Sequence, residues 1–384
     1  MDTDYENTLI NKWEDFNLKP EILRGIFSYG FEHPSPIQKR SIMPILDGKD
    51  IIAQAQSGTG KTACFTIGAL SSINTETKNL QVIILSPTRE LSIQTGKVLA
   101  SIGNYIKNLK IDSCYDNNKK NSFSYSVPHV LCGCPGRVYE IIVKNKVKTD
   151  DLKMVILDEA DEILSKGFKD QIMNIFGSVP NNTQVALFSA TLPSDIDNVV
   201  NGLLRDPVKI KINAEQLTLE GISQYYVLVD SDLQKYETLK DLFKYLSISQ
   251  SIIYCNSVKR VKDLYSAMSD DGFPVTCIHS NMERNERSEC FANFRSGKSR
   301  VLISSNVTAR GIDIQQVSVV INFDVPKDVH TYLHRIGRSG RWGRKGIGIN
   351  FVSRRDTNYM REIEGYYQCQ INALPEDITF LQRM

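Results

Sequence analysis

Short apolar runs alternate with segments of helical periodicity along most of the chain. The alternation begins near Asp50, continues to about Ile212 and restarts after about residue 222. Continuous apolar runs of four to six residues are typical of strands that are buried on both faces of a parallel sheet. The pattern therefore predicts two α/β domains, each with a parallel sheet that helices cover. The runs that predict strands are residues 50–53, 81–85, 129–131, 154–157, 185–188, 251–254, 275–278, 300–303, 317–321 and 347–352.

A glycine-bearing loop interrupts this pattern between the first predicted strand and a predicted helix over residues 63–70. From residue 55 it reads Ala-Gln-Ser-Gly-Thr-Gly-Lys-Thr. Between a strand and a helix, the N–H groups of such a loop bind phosphate oxygens, its lysine adds positive charge and its last hydroxyl binds Mg²⁺. The general pattern has Gly at the first position, where this chain has Ala55. The candidate phosphate-binding residues are Ser57, Gly58, Thr59, Gly60, Lys61 and Thr62.

An acidic element follows the apolar run at residues 154–157 and reads Asp158-Glu159-Ala160-Asp161. Carboxylates at the carboxyl end of a buried parallel strand face the crevice in which ligands bind. Asp158 is placed to hold Mg²⁺ directly or through water, and Glu159 to orient and deprotonate an attacking water. An acidic helix N-terminus is the alternative interpretation, but it explains neither the strand before it nor the loop upstream. The two elements together predict nucleotide hydrolysis.

A polar stretch at residues 213–221, which ends in Gly221, separates the two series of strands. Its composition predicts a flexible linker between a first domain at 1–212 and a second at 222–384. The sequence of the second domain has no phosphate-binding loop. One nucleotide site is therefore expected to serve both domains, most simply from the cleft between them.

Length, composition and charge agree with a folded protein of two domains. The chain has 384 residues, of which 41% are hydrophobic and 23% charged. A net charge of +2 excludes a grossly basic coat for nucleic acid but allows a local basic groove. The eight cysteines form no CxxC pair, which favours free thiols in a reducing compartment. The polar N-terminus predicts no signal peptide, and no apolar run approaches the ~18–20 residues of a membrane span.

The acidic element also spells the signature of the DEAD-box RNA helicases. From Trp13 to the C-terminus the chain resembles the translation initiation factor 4A subfamily of that family, with a series of motifs in the family's order. The resemblance implies two RecA-like domains joined by a flexible linker. It also implies ATP and Mg²⁺ as cofactors, and an RNA-stimulated ATPase that opens short duplexes locally and without long translocation.

The resemblance extends to the nucleotide-binding and coupling residues. The segment 13–38 resembles the family's adenine-reading segment, in which Gln38 binds the adenine edge and Trp13 stacks on the base. In the second domain, the run from His334 to Arg341 resembles the arginine-finger motif. The resemblance implies that Arg338 and Arg341 reach the γ-phosphate, that Asp313 binds the ribose, and that ATP and RNA are coupled through Asp161, Ser189, Thr191 and His334.

Other motifs resemble those with which the family contacts the RNA backbone. A helix N-terminus with an arginine suits a phosphate and reads no base, so binding should tolerate sequence and weaken with salt. The residues that the resemblance assigns to RNA are Pro87, Thr88, Arg89, Pro135, Gly136, Arg137, Arg287, Arg310 and Gly311.

The chain departs from the family's pattern on this RNA side. Asp116 and Asn117 stand where the family has Gly-Gly, and a carboxylate there should repel phosphate. Cys134 replaces a Thr, which exchanges a good hydroxyl donor for a weak thiol. We therefore hypothesise standard ATP chemistry with an altered grip on RNA. Further replacements are Ser280 for Gly, Arg284 for Gln, and Ser305-Asn306 for Thr-Asp.

Three functions remain open at this point. The first is a cytoplasmic RNA helicase of translation initiation, expected to be a monomer that relies on protein partners. The second is its nuclear or nucleolar paralogue, which acts in ribosomal RNA processing or marks exon junctions. The third is an ATP-gated RNA clamp that stays bound as a platform, and slow release in the presence of ATP would distinguish it. A DNA helicase is a weaker alternative, which DNA stimulation of the ATPase would reveal.

Overall fold

A computed structural model describes residues 10–55, 58–114, 127–144, 147–165, 167–191, 202–212, 222–245, 250–306, 317–339 and 346–375. The chain divides into two compact units, residues 1–212 and 213–384. The stretch that we interpreted as a linker lies outside the described residues. Over the described part of the chain, no helix combines the length and the apolar character that a bilayer span requires.

The first unit is built on a seven-stranded parallel sheet. Its strands are β1 Ile51–Gln54, β2 Val82–Leu85, β3 Ile111–Ser113, β4 Val130–Gly133, β5 Met154–Asp158, β6 Gln184–Ser189 and β7 Val208–Lys211. Its helices are α1 Pro20–Tyr29, α2 Pro36–Leu46, α3 Lys61–Ser72, α4 Arg89–Ile102, α5 Pro135–Tyr139, α6 Ala160–Ser165 and α7 Lys169–Phe176. The strand order is β3-β4-β2-β5-β6-β1-β7.

Alternate residues of the central strands enter two separate apolar clusters. In β2, Val82 and Ile84 belong to one cluster, whereas Ile83 and Leu85 belong to the other. This division arises because successive side chains of a strand point to opposite faces of the sheet. Apolar clusters therefore cover both faces of the central strands, and the carboxyl ends of these strands are left to carry polar groups.

The second unit contains another seven-stranded parallel sheet. Its strands are β8 Ile222–Leu228, β9 Ser251–Tyr254, β10 Val275–Ile278, β11 Val301–Ser304, β12 Val319–Asn322, β13 Gly346–Val352 and β14 Asn372–Ala373. Its helices are α8 Asp232–Tyr245, α9 Val258–Asp270, α10 Arg284–Arg295, α11 Val329–Ile336 and α12 Thr357–Tyr367. The strand order is β10-β11-β9-β12-β13-β8-β14.

The predicted α/β class with two RecA-like parallel-sheet units is confirmed. Four strands were not predicted, namely β3, β7, β8 and β14. Each of them lies at an edge of its sheet or next to one. Their side chains are partly exposed and partly polar, so they lack the continuous apolar run that identifies a strand buried on both faces.

Candidate active site

The glycine-bearing loop leaves the carboxyl end of β1 and ends where α3 begins. The N–H of Ala55 donates to the carbonyl of Ser189 at 3.0 Å, which fixes the start of the loop to β6. Gly58 and Gly60 have φ angles of 85° and 101°, a region that favours glycine. Gly60 caps α3, and its carbonyl accepts the N–H groups of Ala63 and Cys64 at 3.1 and 3.2 Å. The helix therefore starts at Lys61 and directs its N-terminal dipole to the loop, as a phosphate site requires.

The predicted adenine-reading segment is hydrogen-bonded to this loop. Ser35 Oγ donates to the carbonyl of Thr59 at 2.7 Å. Gln38 lies in the first turn of α2, where its Oε1 accepts the N–H of Ser35 at 2.6 Å and its Nε2 faces the carbonyl of Gly60 at 3.4 Å. A Cβ at Gly60 would come within 2.5 Å of Gln38 Nε2. Gln38 thus lies beside the phosphate-binding loop.

Trp13 does not occupy the position that stacking on adenine requires. Its ring has no exposed surface and packs in the core, with ring centroids 5.8 Å from Phe16 and 6.1 Å from Phe31. A ring that is enclosed on both faces has no free face on which a base could stack. In this structure Trp13 therefore packs beneath the adenine-reading segment as part of the core. Phe31 is the half-buried aromatic residue of this cluster.

The catalytic carboxylates lie at the carboxyl end of β5, beside the phosphate loop. Asp158 is the last residue of the strand, and Glu159 forms the turn into α6 with a φ of 53°. Side chains other than glycine rarely adopt this conformation, and its persistence indicates a functional constraint. Lys61 Nζ lies 3.7 Å from Glu159 Oε2, and both side chains are buried.

Four buried carboxylates are grouped here. Asp158, Glu159, Asp161 and Glu162 are each at most 4% exposed, and Lys61 Nζ lies 3.7 Å from Glu159 Oε2. Burial, and then the charge of Glu159, raises the pKa of Asp158 above the ordinary carboxyl range. Carboxylate oxygens are the ligands that a divalent cation prefers, and such a cation would also bind phosphate oxygens. The residues present therefore fit Mg²⁺ and a polyphosphate.

Two further elements join at Asp161. Its Oδ2 accepts the hydroxyl of Thr191 at 2.6 Å, and its N–H donates to Ser189 Oγ at 3.2 Å. Ser189 Oγ in turn donates to the carbonyl of Thr191 at 2.6 Å. Buried hydrogen bonds thus join the turn after β5 to the turn after β6. A displacement of one turn would therefore displace the other.

Two helices of the first unit begin at the residues that we assigned to RNA. Thr88 caps α4, and its Oγ1 accepts the N–H of Leu91 at 3.3 Å. Cys134 occupies the same position before α5 but forms no side-chain cap. Burial, and then the charge of Glu90, raises the pKa of Cys134 to about 11, so it remains a thiol at neutral pH. The start of α4 therefore has a side-chain cap that the start of α5 lacks.

The arginines at these helix starts differ in their surroundings. Arg137 forms a 2.6 Å ion pair with Glu140 on the next turn, which an RNA phosphate would have to share or displace. Arg89 is the first residue of α4 and is partly exposed. Pro87 and Pro135 are buried, and Gly136 is exposed.

In the second unit, the structure describes some of the residues that we predicted to bind ATP or RNA. His334 and Arg338 are buried, and Arg338 Nε donates to the carbonyl of His334 at 3.2 Å. Arg287 Nη2 donates to the carbonyl of Ser280 at 3.2 Å. Several predicted positions lie outside the described residues: Ser57, Asp116, Asn117, Arg310, Gly311, Asp313 and Arg341.

Sequence reasoning missed a buried polar cluster at the carboxyl ends of β9, β11 and β12. Its centre is Arg335, which has no exposed surface. The available signal was the position of three asparagines. Asn256 and Asn306 each stand two residues beyond a buried strand, and Asn322 ends one.

Comparisons with known proteins agree with this geometry. The family model described as DEAD/DEAH box helicase matches residues 35–199, and the one described as Helicase conserved C-terminal domain matches residues 234–343. The chain is 48% identical to the ATP-dependent RNA helicase eIF4A of Candida albicans, over 99% of this chain and 96% of the relative. It is 46% identical to Eukaryotic initiation factor 4A of Caenorhabditis elegans, over 97% and 93%.

A solved structure of S. cerevisiae Dbp5 bound to RNA and ADP BeF3 is also similar. Its TM-score is 0.88 at 33% sequence identity, and the match covers 97% of this chain and 98% of Dbp5. This chain therefore belongs to the DEAD-box helicase family and, within it, to the eIF4A group.

Proposed function

We propose that this protein is an ATP-dependent RNA helicase, whose ATP hydrolysis is stimulated by single-stranded RNA and which opens short duplexes locally. The observation that carries the proposal is the buried group of Lys61, Asp158 and Glu159 beside the glycine loop, joined to Ser189 and Thr191 through Asp161. Relatives that are named ATP-dependent RNA helicase eIF4A, at 46–48% identity, support it.

Each catalytic residue has a role that its surroundings favour. Lys61 would bind the phosphates, with the N–H groups of the loop and of the first turn of α3. Thr62 and Asp158 would hold Mg²⁺, which neutralises the phosphate charge when bound. Glu159 would orient the attacking water and accept its proton. Gln38 would read the adenine edge, because it lies next to Gly60 of the loop.

The second unit would supply the arginine fingers. We propose that Arg338 and Arg341 act on the γ-phosphate, that Asp313 binds the ribose, and that His334 takes part in coupling. Guanidinium groups suit this role because they stay charged and match oxygen-rich groups. Binding of ATP and RNA would favour a closed arrangement of the two units, and hydrolysis would release it.

RNA binding would rest on phosphate contacts from both units, and we propose that the grip of the first unit is weakened. The missing cap at Cys134 and the ion pair of Arg137 with Glu140 support this idea. Arg284 adds a charge in the second unit that offsets part of the loss. The RNA affinity of the chain should thus lie below that of a relative with the standard motifs. Equal affinities at matched salt would contradict this proposal.

We propose a role in translation initiation, which a relative named Eukaryotic initiation factor 4A supports. We propose further that the chain acts in the cytoplasm as a monomer that works with protein partners. Ribosome association of the tagged chain and its requirement for initiation in extracts would test this role. Enrichment in nucleoli or on spliced RNA would instead favour the nuclear paralogue.

The first experiment is ATP turnover by the purified chain with and without single-stranded RNA, with Lys61→Ala as the control. Strong stimulation that is lost in Lys61→Ala would support an RNA-dependent ATPase. Glu159→Gln should bind ATP and RNA together and hydrolyse little, and normal turnover by this variant would exclude Glu159 as the base. RNA release measured with ATP present separates a helicase, which releases rapidly, from a clamp, which does not.

A further inference from the structure

Arg335 of α11 is held by five hydrogen bonds although it has no exposed surface. Nε and Nη2 donate to Asn306 Oδ1 at 2.9 and 2.6 Å. Nη2 also donates to Asn256 Oδ1 at 2.7 Å. Nη1 donates to Asn322 Oδ1 at 3.2 Å and to the main-chain carbonyl of Asp324 at 2.8 Å. One guanidinium thus joins α11 to the ends of three neighbouring strands.

The acceptors around this guanidinium are neutral. The Asp324 carboxylate is occupied by Lys235, Arg260 and the N–H of Asn256. Among the described residues, no carboxylate accepts a hydrogen bond from Arg335. Burial lowers the pKa of Arg335 to about 10, which leaves it charged at neutral pH. A buried charge that depends on amide oxygens is sensitive to the loss of any one of them.

Asn306 contributes most to this arrangement, because it accepts two of the five hydrogen bonds. It stands at the carboxyl end of β11, and the chain continues from it directly into the sequence motif that contains Arg310 and Asp313. At the other side, the N–H of Arg338 donates to the carbonyl of Arg335 at 3.1 Å. One side-chain contact therefore separates the start of the RNA and ribose motif from the backbone of the proposed arginine finger.

The first half of α11 is fixed to the same sheet by a second group of hydrogen bonds. Tyr332 Oη donates to Gln224 Oε1 at 2.7 Å and accepts from Asn350 Nδ2 at 3.3 Å. Asn350 Oδ1 accepts from Asn322 Nδ2 at 2.8 Å, which continues to Arg335. The helix is thus held to the sheet at Tyr332 and at Arg335. Of these two residues, Arg335 is the one that contacts Asn306 at the end of β11.

We propose that Asn306 is a positioning residue that, through Arg335, couples the motif beginning after β11 to the arginine-finger helix α11. The inference rests on the proposed function, since it holds that Asn306 transmits the effect of RNA binding to the position of Arg338. Asn306 itself touches neither ATP nor RNA in this scheme. The family's pattern has Asp at this position, so an acceptor is retained here while the negative charge is not.

The test compares Asn306→Ala with Asn306→Asp and with a matched control, Gln250→Ala. Gln250 is buried, and its amide bonds to the carbonyl of Phe294 at the opposite end of β9, away from Arg335. We expect Asn306→Ala to lower RNA-saturated turnover about three- to tenfold with the KM for ATP within about twofold, in the range typical of coupling residues. Asn306→Asp and Gln250→Ala should keep the RNA-saturated turnover of the unmodified chain.

Five outcomes would overturn the inference. One is wild-type turnover by Asn306→Ala at a temperature at which it is folded. Another is an equal loss in Gln250→Ala, which would indicate general destabilisation, and a third is a loss in Asn306→Asp equal to that in Asn306→Ala. If Asn306→Ala does not fold, Asn306→Ser replaces it in the test, because serine keeps a shorter acceptor. We expect an intermediate loss of turnover in Asn306→Ser, and full turnover would count against the inference. An unmodified chain that RNA does not stimulate at all would refute the proposed function first and this inference with it.

Discussion

The two units carry the same sheet but place different chemistry at the carboxyl ends of their strands. The orders β3-β4-β2-β5-β6-β1-β7 and β10-β11-β9-β12-β13-β8-β14 correspond position by position, so β8 is the counterpart of β1 and β12 that of β5. In open α/β sheets, ligands bind outside these carboxyl ends. Each unit therefore has an equivalent crevice at the carboxyl ends of its strands, and the side chains in the two crevices can be compared.

Each unit places a lysine at this location. Lys61 follows Gln54, the last residue of β1, by seven positions, and Lys235 follows Leu228, the last residue of β8, by the same number. Lys61 Nζ lies 3.7 Å from Glu159 and donates no hydrogen bond to a described residue. The lysine of the first unit is thus held loosely among buried carboxylates.

The lysine of the second unit is fully engaged by the protein. Lys235 Nζ donates to the carbonyl of Phe323 at 2.8 Å and to Asp324 Oδ1 at 3.2 Å. Arg260 and the N–H of Asn256 bind the other carboxylate oxygen. Burial alone would raise the pKa of Asp324, but the hydrogen bonds from Arg260 and Asn256 and the charge of Lys235 outweigh it and lower that pKa.

The difference shows how one fold supports a ligand site in one unit and a structural cluster in the other. The first crevice groups four buried carboxylates beside Lys61 and is completed by Mg²⁺ and phosphate in the proposed function. The second crevice satisfies its charged groups with its own side chains. Function thus follows from the residues at the strand ends and not from the sheet.

The largest expected effect comes from the lysine of the first unit. Lys61→Ala should lower RNA-stimulated ATP turnover at least about a hundredfold, because it removes a preorganised charge from the phosphate site. Steady-state turnover, with circular dichroism to verify folding, measures this effect. Turnover near that of the unmodified chain would contradict the role of the first unit's lysine in ATP hydrolysis.

The counterpart substitution in the second unit should affect stability. Lys235→Met leaves Asp324 buried without one of its cations and should cost about 3–5 kcal/mol of unfolding free energy. Urea unfolding of the full chain measures the transition that belongs to the second unit. Lys240→Met on the same helix is the control. This partly exposed lysine pairs near the surface with Glu237 and Asp271, so its loss should cost much less than that of Lys235. Equal effects of the two substitutions would show that the second crevice is not a structural cluster.

A pH series tests whether acid sensitivity of the first unit arises away from its crevice. His129 is buried, with Nδ1 accepting the N–H of Lys110 at 3.0 Å and Nε2 at 2.9 Å from the carbonyl of Thr77. Burial lowers its pKa below the ordinary 6.5, so the unfolded chain binds the proton more readily. Its contribution to stability is complete above pH 6.5 and is lost as the pH falls below it, by at most about 1.4 kcal/mol per pH unit.

The matched variant for this series is His129→Gln, which does not titrate. We expect the unfolding free energy of this variant to fall less steeply than that of the unmodified chain between pH 6.5 and 5.5. Identical slopes would assign the acid sensitivity to other groups, the crevice carboxylates among them.

The smallest effect concerns the two helix starts of the RNA side. Cys134→Thr supplies the missing cap of α5 and should add about 0.5–1 kcal/mol of stability. It should also tighten RNA binding by no more than about fivefold, the equivalent of one hydrogen bond. Thr88→Cys should shift both quantities in the opposite direction at α4. Thermal unfolding and RNA titration at fixed salt measure the pair, and unchanged values in both variants would contradict the role of the caps.

The prediction of the fold from sequence was most accurate in the middle of each sheet. The apolar runs at β2, β5 and β9 coincide with strands within one residue, because a strand covered on both faces must be apolar throughout. The failures were β8, with Ser223 and Gln224 near its start, and the edge strands β3, β7 and β14. Partial exposure removes the apolar pattern there, while pairing with the neighbouring strand still forms the β-structure.

Sequence alone determined the family, the α/β class and the positions of Lys61, Asp158 and Glu159, because phosphate loops and strand-end carboxylates depend on residue spacing within a short segment. Only the tertiary structure decided that Trp13 is enclosed in the core, that Thr191 reaches Asp161, and that the second unit fills its own crevice. These contacts join residues far apart in the chain. They depend on which strands become neighbours in the sheet, and that order cannot be read from spacing within a short segment.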